Sequence, residues 1–497
     1  MPTDNADDYA RRIAAATEFL ERVGEDYERL AALPQDERQR FLMAAGRVAR
    51  PGPWDRHALA AAARERRKAV QRKNDEEKLE QTGIRASRRK PVFTPWQHGG
   101  TIDPQGTTKP QDPVAAAADV DPPRLEGAIA CYVCKSPFHD LHYFYDALCP
   151  ECAALNWGKR TPVADLSGRV AVITGARVKI GFHAALMLLR AGAHVVVSTR
   201  FPRDAATRYA SEPDFAEWSQ RLEVFGLDLR HTPSVESFSR FLLGHLPRLD
   251  FLINNACQTV RRPTGFYRHL MDGEALPLSQ VRQEVRAVLG VGDGVGRVNA
   301  AQLSQRTLLE EDLDRGNSIF PAGQLDADLQ QIDLREVNSW RLALGEVSAV
   351  ELLEVQLVNA VAPFILNARL KQLMLRTDNR DKHIVNVSAV EGQFSRKLKT
   401  DRHPHTNMAK AALNMMTRTS AADYLRDGIH MNSVDTGWVT DEDPAVIAER
   451  KQREQGFHPP LDIVDGAARI VDPIFDGIAT GVHTWGAFLK DYRVVDW

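Results

Sequence analysis

Cysteine is scarce, 5 in 497 residues, which excludes a small secreted scaffold braced by disulfides. Charge of one sign is lacking too: 64 Lys and Arg face 66 Asp and Glu, a formal charge of −2. That balance excludes a chain built throughout to bind polyanions. Long apolar runs are missing. Stretches such as Ala58 to Ala63 and Val195 to Val197 fall far short of the roughly 18 to 20 residues that a bilayer span needs, so no membrane partner is expected. The start, Met1-Pro2-Thr3-Asp4, shows no basic stretch followed by an apolar one, so a cytoplasmic location is the expectation. What is present, 43% hydrophobic and 26% charged residues, is an ordinary globular composition. At roughly 100–200 residues per domain the length predicts two to four folding units.

Four of the five cysteines stand as Cys131-x2-Cys134 and Cys149-x2-Cys152, with 14 residues between the pairs. Each CxxC aims two thiolates at one ion, and two such knuckles complete a tetrahedral set with no open position. The spacing therefore predicts a structural zinc site. A disulfide pair or a redox CxxC is the alternative. His139 and His142, beside Tyr143, Phe144 and Tyr145, read as packing histidines, with replacement of one thiolate as the other option.

Residues 1–95 read as a helical, partly basic region, with apolar periodicity at Ile13, Ala16, Phe19, Leu20, Leu30 and Leu33. From Arg56 to Lys90 there are 12 Lys or Arg and 5 Asp or Glu. A helix over 56–90 contacting an acidic protein or nucleic acid is one reading. A solvated helix laced by Glu–Lys pairs is the other, favoured because no aromatic residue interleaves to stack on bases. Residues 96–126 read as a linker and 127–160 as the zinc module. From 161 to 497, apolar strands at Arg169–Ile173, His194–Ser198, Leu222–Phe225, Phe251–Ile253 and Ile384–Val387 alternate with helical segments. The pattern predicts an α/β fold with a Rossmann-like, doubly wound parallel sheet. Residues 258–350 form a large insertion, expected over the carboxyl ends of the strands as a lid, a substrate wall or an oligomer contact. Of the 330 residues from Gly168 to Trp497, 237 remain without those 93, inside the usual range for one domain.

The first of these strands runs into Thr174-Gly175-Ala176-Arg177-Val178-Lys179-Ile180-Gly181. A tight turn whose amides and following helix N-terminus face a pyrophosphate needs such glycines. Here the chain resembles the short-chain dehydrogenase/reductase family, whose members carry TGxxxGxG at this place and bind NAD or NADP. Gly175 and Gly181 match, while Lys179 stands in place of the middle glycine, either to meet a phosphate or to narrow its approach. The second strand ends in Thr199-Arg200, where an acidic residue would hold the ribose 2'-hydroxyl of NAD. Arg200, aided by Arg177, suits the 2'-phosphate of NADP, so NADP(H) is expected ahead of NAD(H). Asp228 matches the family's adenine-contacting Asp, and Asn254-Asn255-Ala256-Cys257 resembles its NNAG, with Cys257 expected as a small buried thiol. The resemblance implies a cofactor set of Gly175, Arg177, Lys179, Ile180, Gly181, Arg200, Asp228, Asn255, Ala256 and Lys410.

The family's catalytic set is Asn, Ser, Tyr and Lys, and the resemblance places Asn359 and Lys410 at two of these positions. Ala389 falls at the serine, with Ser388 one residue earlier; neighbours on a strand point to opposite sides, so Ser388 substitutes only if the backbone bulges. Thr406 falls at the tyrosine, and an aliphatic hydroxyl is not tuned into a proton donor as a phenol of pKa ~10 is. An acid from elsewhere is then required, with His405, His403, Tyr267 and His269 as candidates and Asp435 a further acidic group by the cleft. Three functions follow in order of preference: an NADP(H) oxidoreductase with a non-standard donor, a nucleotide-binding sensor or assembly protein without turnover, and a nonredox isomerase or dehydratase. Arg261, Arg262 and Arg335 suit an anionic substrate but read individually as surface arginines. A homo-oligomer is compatible with the apolar end around Phe488 and Trp497.

Overall fold

The computed structural model describes residues 6–95, 123–290, 299–313, 319–396 and 399–497. Its contacts divide the chain between Glu76 and Glu77. The N-terminal unit is helical, with helices Ala6–Glu25, Gln35–Ala49 and the start of Pro53–Leu79. Of its periodic apolar residues only Leu30 is buried, and Ile13, Phe19 and Leu33 stay exposed. The stripe that predicted a helix is therefore not matched by a core of this unit's own.

Residues 77–95, read from sequence with the N-terminal region, pack instead on the four-cysteine module. The amides of Gly83 and Ile84 donate to the carbonyls of Tyr143 and Phe144. Arg85 is buried on Asp146 at 2.6 Å, and Arg88 donates to the carbonyl of Leu461. Part of the basic 56–90 segment is thus spent inside the fold. The module itself is a hairpin of β1 (Arg124–Ala130) and β2 (Pro137–Asp140) followed by the helix Pro150–Lys159. Nearly all of the expected linker, 96–122, lies outside the described residues.

Among the described residues the main sheet has eight strands: β3 (Val170–Thr174), β4 (His194–Thr199), β5 (Leu222–Gly226), β6 (Phe251–Asn254), β7 (Lys382–Ser388), β8 (Ile429–Asp435), β9 (Phe488–Lys490) and β10 (Arg493–Val495). Their order is β10-β9-β8-β7-β6-β3-β4-β5. All pairings are parallel except β9 with β10, as the doubly wound reading requires. Alternate residues serve opposite faces: Ala171 and Ile173 join the core under the helices Lys179–Arg190 and Ile463–Thr480, while Val170 and Val172 join the one under Thr232–His245 and Ala349–Met374. The strand order reverses between β3 and β6, which opens a crevice at their carboxyl ends.

The helix Ile463–Thr480 begins with a reciprocal cap. The amides of Asp465 and Asp462 each donate to the other's carboxylate at 2.9 Å. The same two carboxylates receive Arg160 from the end of the module helix, at 2.8 and 2.9 Å, and all three side chains are buried. Helix Ala349–Met374 contains a π-helical turn, Leu357–Val361. Its cause is Pro363, which has no amide to donate to the carbonyl four residues back, so the ladder widens around Asn359. By length and composition this helix is apolar enough to cross a bilayer; here one side packs on the sheet while Leu353 and Phe364 stay exposed.

Candidate functional site

Gly175 holds φ +69°, and a Cβ there would come within 2.7 Å of the Ala256 backbone. A Cβ on Gly181 would lie 2.6 Å from the Gly175 carbonyl and overlap Asn255. These two glycines let the turn after β3 close against the loop after β6. Asn255 then ties the strand ends together, its amide donating to the carbonyls of Thr174 and Gly175 at 3.0 and 3.1 Å, while Thr174 Oγ1 accepts from the Ala256 amide. Lys179 carries the left-handed φ of +55° that the family's glycine would adopt freely. It opens the helix Lys179–Arg190, whose first turn has no side-chain cap, so N-terminal amides remain for an anion.

At the end of β4, Arg200 donates to Tyr267 Oη at 2.6 Å and lies 4.5 Å from that ring's centre. Burial opposes ionisation of Tyr267, but the guanidiniums of Arg200, Arg262 and Arg177 outweigh it and hold the phenol below its ordinary range. Tyr267, weighed from sequence as an acid, is here a partner of the arginine cluster. Arg177 itself is paired with Asp204 at 2.7 Å. Asp228 is buried, and its carboxylate accepts from Arg230, which extends to Glu354. Burial pushes that carboxyl up, and the bonded Arg230 overcomes the effect and holds it low.

A cavity of about 1040 Å³ opens at the carboxyl ends of β7 and β8. Ile180, Asn255, Ser388, Thr406 and Lys410 line it, and Asn359 and His405 do not. Lys410 Nζ donates to the Val387 carbonyl at 2.8 Å. Ser388 donates to Asn414 Oδ1 at 2.6 Å, and the β7–β8 register runs unbroken through it, so the bulge that would free it for the serine's role is absent. Thr406 Oγ1 is buried without a partner. Asn359 clamps the start of the insertion, accepting from the Gln258 amide at 2.8 Å and donating to its carbonyl at 3.1 Å. His405 faces away, its Nε2 3.4 Å from Glu351. His403 is at the cavity wall instead. It caps the helix Pro404–Arg426 with φ 42°, stacks on Trp340 of the insertion at 3.8 Å, and pairs through Nδ1 with Asn407. Burial pulls its imidazole below the ordinary range.

Several sequence readings are corrected. Cys257 is exposed, not buried, and lines the cavity. Arg261 is no surface residue: it is buried among Glu354, Asp312 and Glu311. Arg335 and Arg262 are both spent on Asp333. Tyr132, between the first two cysteines, was missed altogether. It lines the cavity, and its hydroxyl accepts from the Trp438 amide at 3.0 Å. Only tertiary packing of the module on the main sheet reveals it.

The sulfurs of Cys131, Cys134, Cys149 and Cys152 all lie within 4.8 Å of one another, with Cys134 and Cys149 3.6 Å apart. Four thiolates about 2.3 Å from one zinc require sulfurs about 3.8 Å apart, so the set fits. The Ser136 hydroxyl and amide bring the Cys134 thiol down to about 6. Burial pushes Cys152 up, and a cation is what ionises such a buried thiol. His139 and His142 are spent on backbone, with the Leu125 carbonyl and the Phe144 amide respectively.

Comparison with known proteins matches this frame. Residues 169–270 fit the family model described as short chain dehydrogenase, and residues 338–459 the one described as Enoyl-(Acyl carrier protein) reductase. An uncharacterized protein of Acanthamoeba polyphaga mimivirus is 30% identical over 372 residues, covering 72% of this chain and 74% of its own length. Dehydrogenase/reductase SDR family member 13 of Bos taurus is 35% identical over 127 residues, 25% of this chain and 31% of that protein. Retinol dehydrogenase 11 of Homo sapiens is 32% identical over 120 residues, 23% of this chain and 37% of that protein. The chain thus spans about a third of the length of these named dehydrogenases. Among solved structures, a dehydrogenase/reductase from Sinorhizobium meliloti 1021 aligns with TM-score 0.42 at 18% identity, over 67% of this chain and 96% of that one. A metagenomic short-chain oxidoreductase in complex with NADP aligns with TM-score 0.36 at 20% identity, over 61% and 91%. The two family models reach into the two ends of the insertion and cover the Gly175–Gly181 turn, Asn359 and Lys410, so the chain belongs to the short-chain dehydrogenase/reductase family of oxidoreductases.

Proposed function

We propose that the protein is an NADP(H)-dependent oxidoreductase whose proton donor is not the family's tyrosine, with a structural zinc in the four-cysteine module. The observation that carries the choice of dinucleotide is Arg200 at the end of β4, whose guanidinium meets the Tyr267 hydroxyl and not a carboxylate, with Arg177, paired with Asp204, alongside. A ribose bearing only hydroxyls gains little there, whereas a 2'-phosphate gains charge-assisted hydrogen bonds. The Gly175–Gly181 turn and the helix after it would hold the pyrophosphate, Asp228 the adenine side and Lys410 the nicotinamide ribose.

When bound, the dinucleotide supplies a hydride. The chain's own part is to orient a carbonyl and give its oxygen a proton. Thr406 Oγ1, buried and unpartnered at the cavity, orients the oxygen by a hydrogen bond. His403, fixed by Trp340 and Asn407, moves the proton. Its burial makes the imidazolium a readier acid, so carbonyl reduction speeds up as pH falls below the ordinary imidazole range. His405, held at Glu351, and Asn359, holding Gln258, serve the cavity's frame.

Fluorescence titration with NADPH and NADH tests the reading. The wild type is expected to prefer NADPH, and Arg200→Ala to lose about 10- to 100-fold for NADPH alone, the worth of a charged hydrogen bond. Equal affinity for both dinucleotides refutes the role of Arg200. Deuteride transfer from labelled NADPH to a panel of aldehydes, ketones and quinones, abolished in Lys410→Ala and reduced in His403→Ala, reports turnover. Tight binding without transfer to any member favours a nucleotide-binding protein instead.

A further inference from the structure

The insertion returns over the phosphate turn as a small hairpin. Leu325 and Gln331 form an antiparallel bridge, and Asp326 Oδ1 accepts from the amides of Asp328 and Gln330 at 2.9 and 2.8 Å. The tip is held on three sides. Arg208 donates to the carbonyls of Asp328 and Leu329 at 2.9 and 2.8 Å, Arg177 donates to Gln330 Oε1 at 3.0 Å, and the Phe93 amide donates to the Ala327 carbonyl at 2.7 Å. So fixed, the hairpin aims one carboxylate at the turn: Asp328 Oδ2 lies 3.5 Å from Lys179 Nζ.

Lys179 occupies the turn position where its family has glycine, and it opens a helix whose first amides have no side-chain cap. A lysine ammonium beside free helix amides is an anion site. The anion at Lys179 is a side chain from a segment about 150 residues downstream.

We propose that Asp328 stands in for the dinucleotide's pyrophosphate at Lys179 and must be displaced when the cofactor binds, so that the insertion competes with the cofactor for its own site. The inference rests on the dinucleotide reading above. It differs from a simple brace in the sign of one measurement. A competitor, once neutralised, lets the cofactor bind more tightly; a brace that positions Lys179, once lost, makes binding weaker.

The test is NADPH titration of the full-length chain at low salt. Asp328→Asn is expected to tighten NADPH binding by about tenfold, the size of one charge coupling. Lys179→Met is expected to weaken binding and to erase the effect of Asp328→Asn in the double variant. Asp328→Ser serves as a second neutral replacement, and thermal unfolding confirms that each variant is folded. Wild-type binding with unchanged or weaker affinity in both neutral variants overturns the competition and leaves the dinucleotide site standing. Failure of the wild type and every variant to bind either NADPH or NADH overturns both. Binding by Asp328→Asn with none by the wild type is the strongest support.

Discussion

Replacing Arg160 by Met is expected to destabilise the 77–497 unit by about 3–5 kcal/mol at pH 7, the cost of removing one partner from a buried ion pair. The side chain is almost wholly enclosed, against the Phe144 ring at 4.6 Å and between Asp462 and Asp465. Met fills most of the volume, so packing changes little and the loss is electrostatic. Burial pushes both carboxyls up. Arg160 overcomes this at Asp462, whose carboxyl stays below its ordinary range; at Asp465 the charge of Asp462 adds to burial, and that carboxyl stays above it. In the wild type the Asp462 contribution is therefore present above the unfolded pKa of ~3.9 and lost as pH falls through its lower folded value. Without Arg160 the sign inverts: Asp462 is raised in the folded state, and protonation stabilises the variant as pH falls. The destabilisation should accordingly shrink between pH 7 and pH 5, and Asp465→Asn added to Arg160→Met should recover part of it. Urea unfolding followed by tryptophan fluorescence measures this, with Trp157 beside the pair. A loss below about 1 kcal/mol, equal at both pH values, is what a solvent-screened surface pair would give, and it would refute the argument.

Two further outcomes are expected. Elemental analysis of the purified chain should find about one zinc per molecule, and Cys131→Ser should lose it together with the protection of the 124–159 amides from hydrogen exchange; full protection without metal would exclude a structural ion. His383 is buried at the start of β7, its Nε2 3.1 Å from His483 Nδ1 and its ring beside His430. Burial, then the charges of His430 and His483, hold it well below the ordinary range, so its contribution is complete above the unfolded pKa of ~6.5 and falls as pH drops below it. Stability should fall between pH 6.5 and pH 5, by no more than about 1.6 kcal/mol, and His383→Phe should flatten that slope; an unchanged slope would place the titration elsewhere.

The strands β3 to β7 were legible because a parallel sheet covered on both faces needs near-continuous apolar runs, and Val195 to Val197 or Phe251 to Ile253 supply them. The short strands β9 and β10 at one side of the sheet were not, since three residues leave no period to read. Glycine turns and CxxC knuckles were legible because local geometry dictates them. What failed was anything set by distance in space. Nothing near Arg261 in sequence announces its three carboxylates, and nothing near Cys131 announces that Tyr132 lines the cavity. His403 and His405 are only two residues apart, yet one begins the helix in a left-handed conformation at the cavity and the other, about half a turn on, is buried toward Glu351.

The clamp that Asn359 places on Gln258 has a consequence for how this chain can change. It fastens the first residue of the insertion to the helix that follows the last, so everything between is a closed loop anchored to the core at both ends. Closing such a loop costs only about 0.6 kcal/mol more for each doubling of its length. The core is therefore nearly indifferent to how many residues the loop contains. Descendants of this sequence are free to lengthen, shorten or exchange it, and with it the cavity wall and the hairpin over Lys179, without rebuilding the sheet beneath.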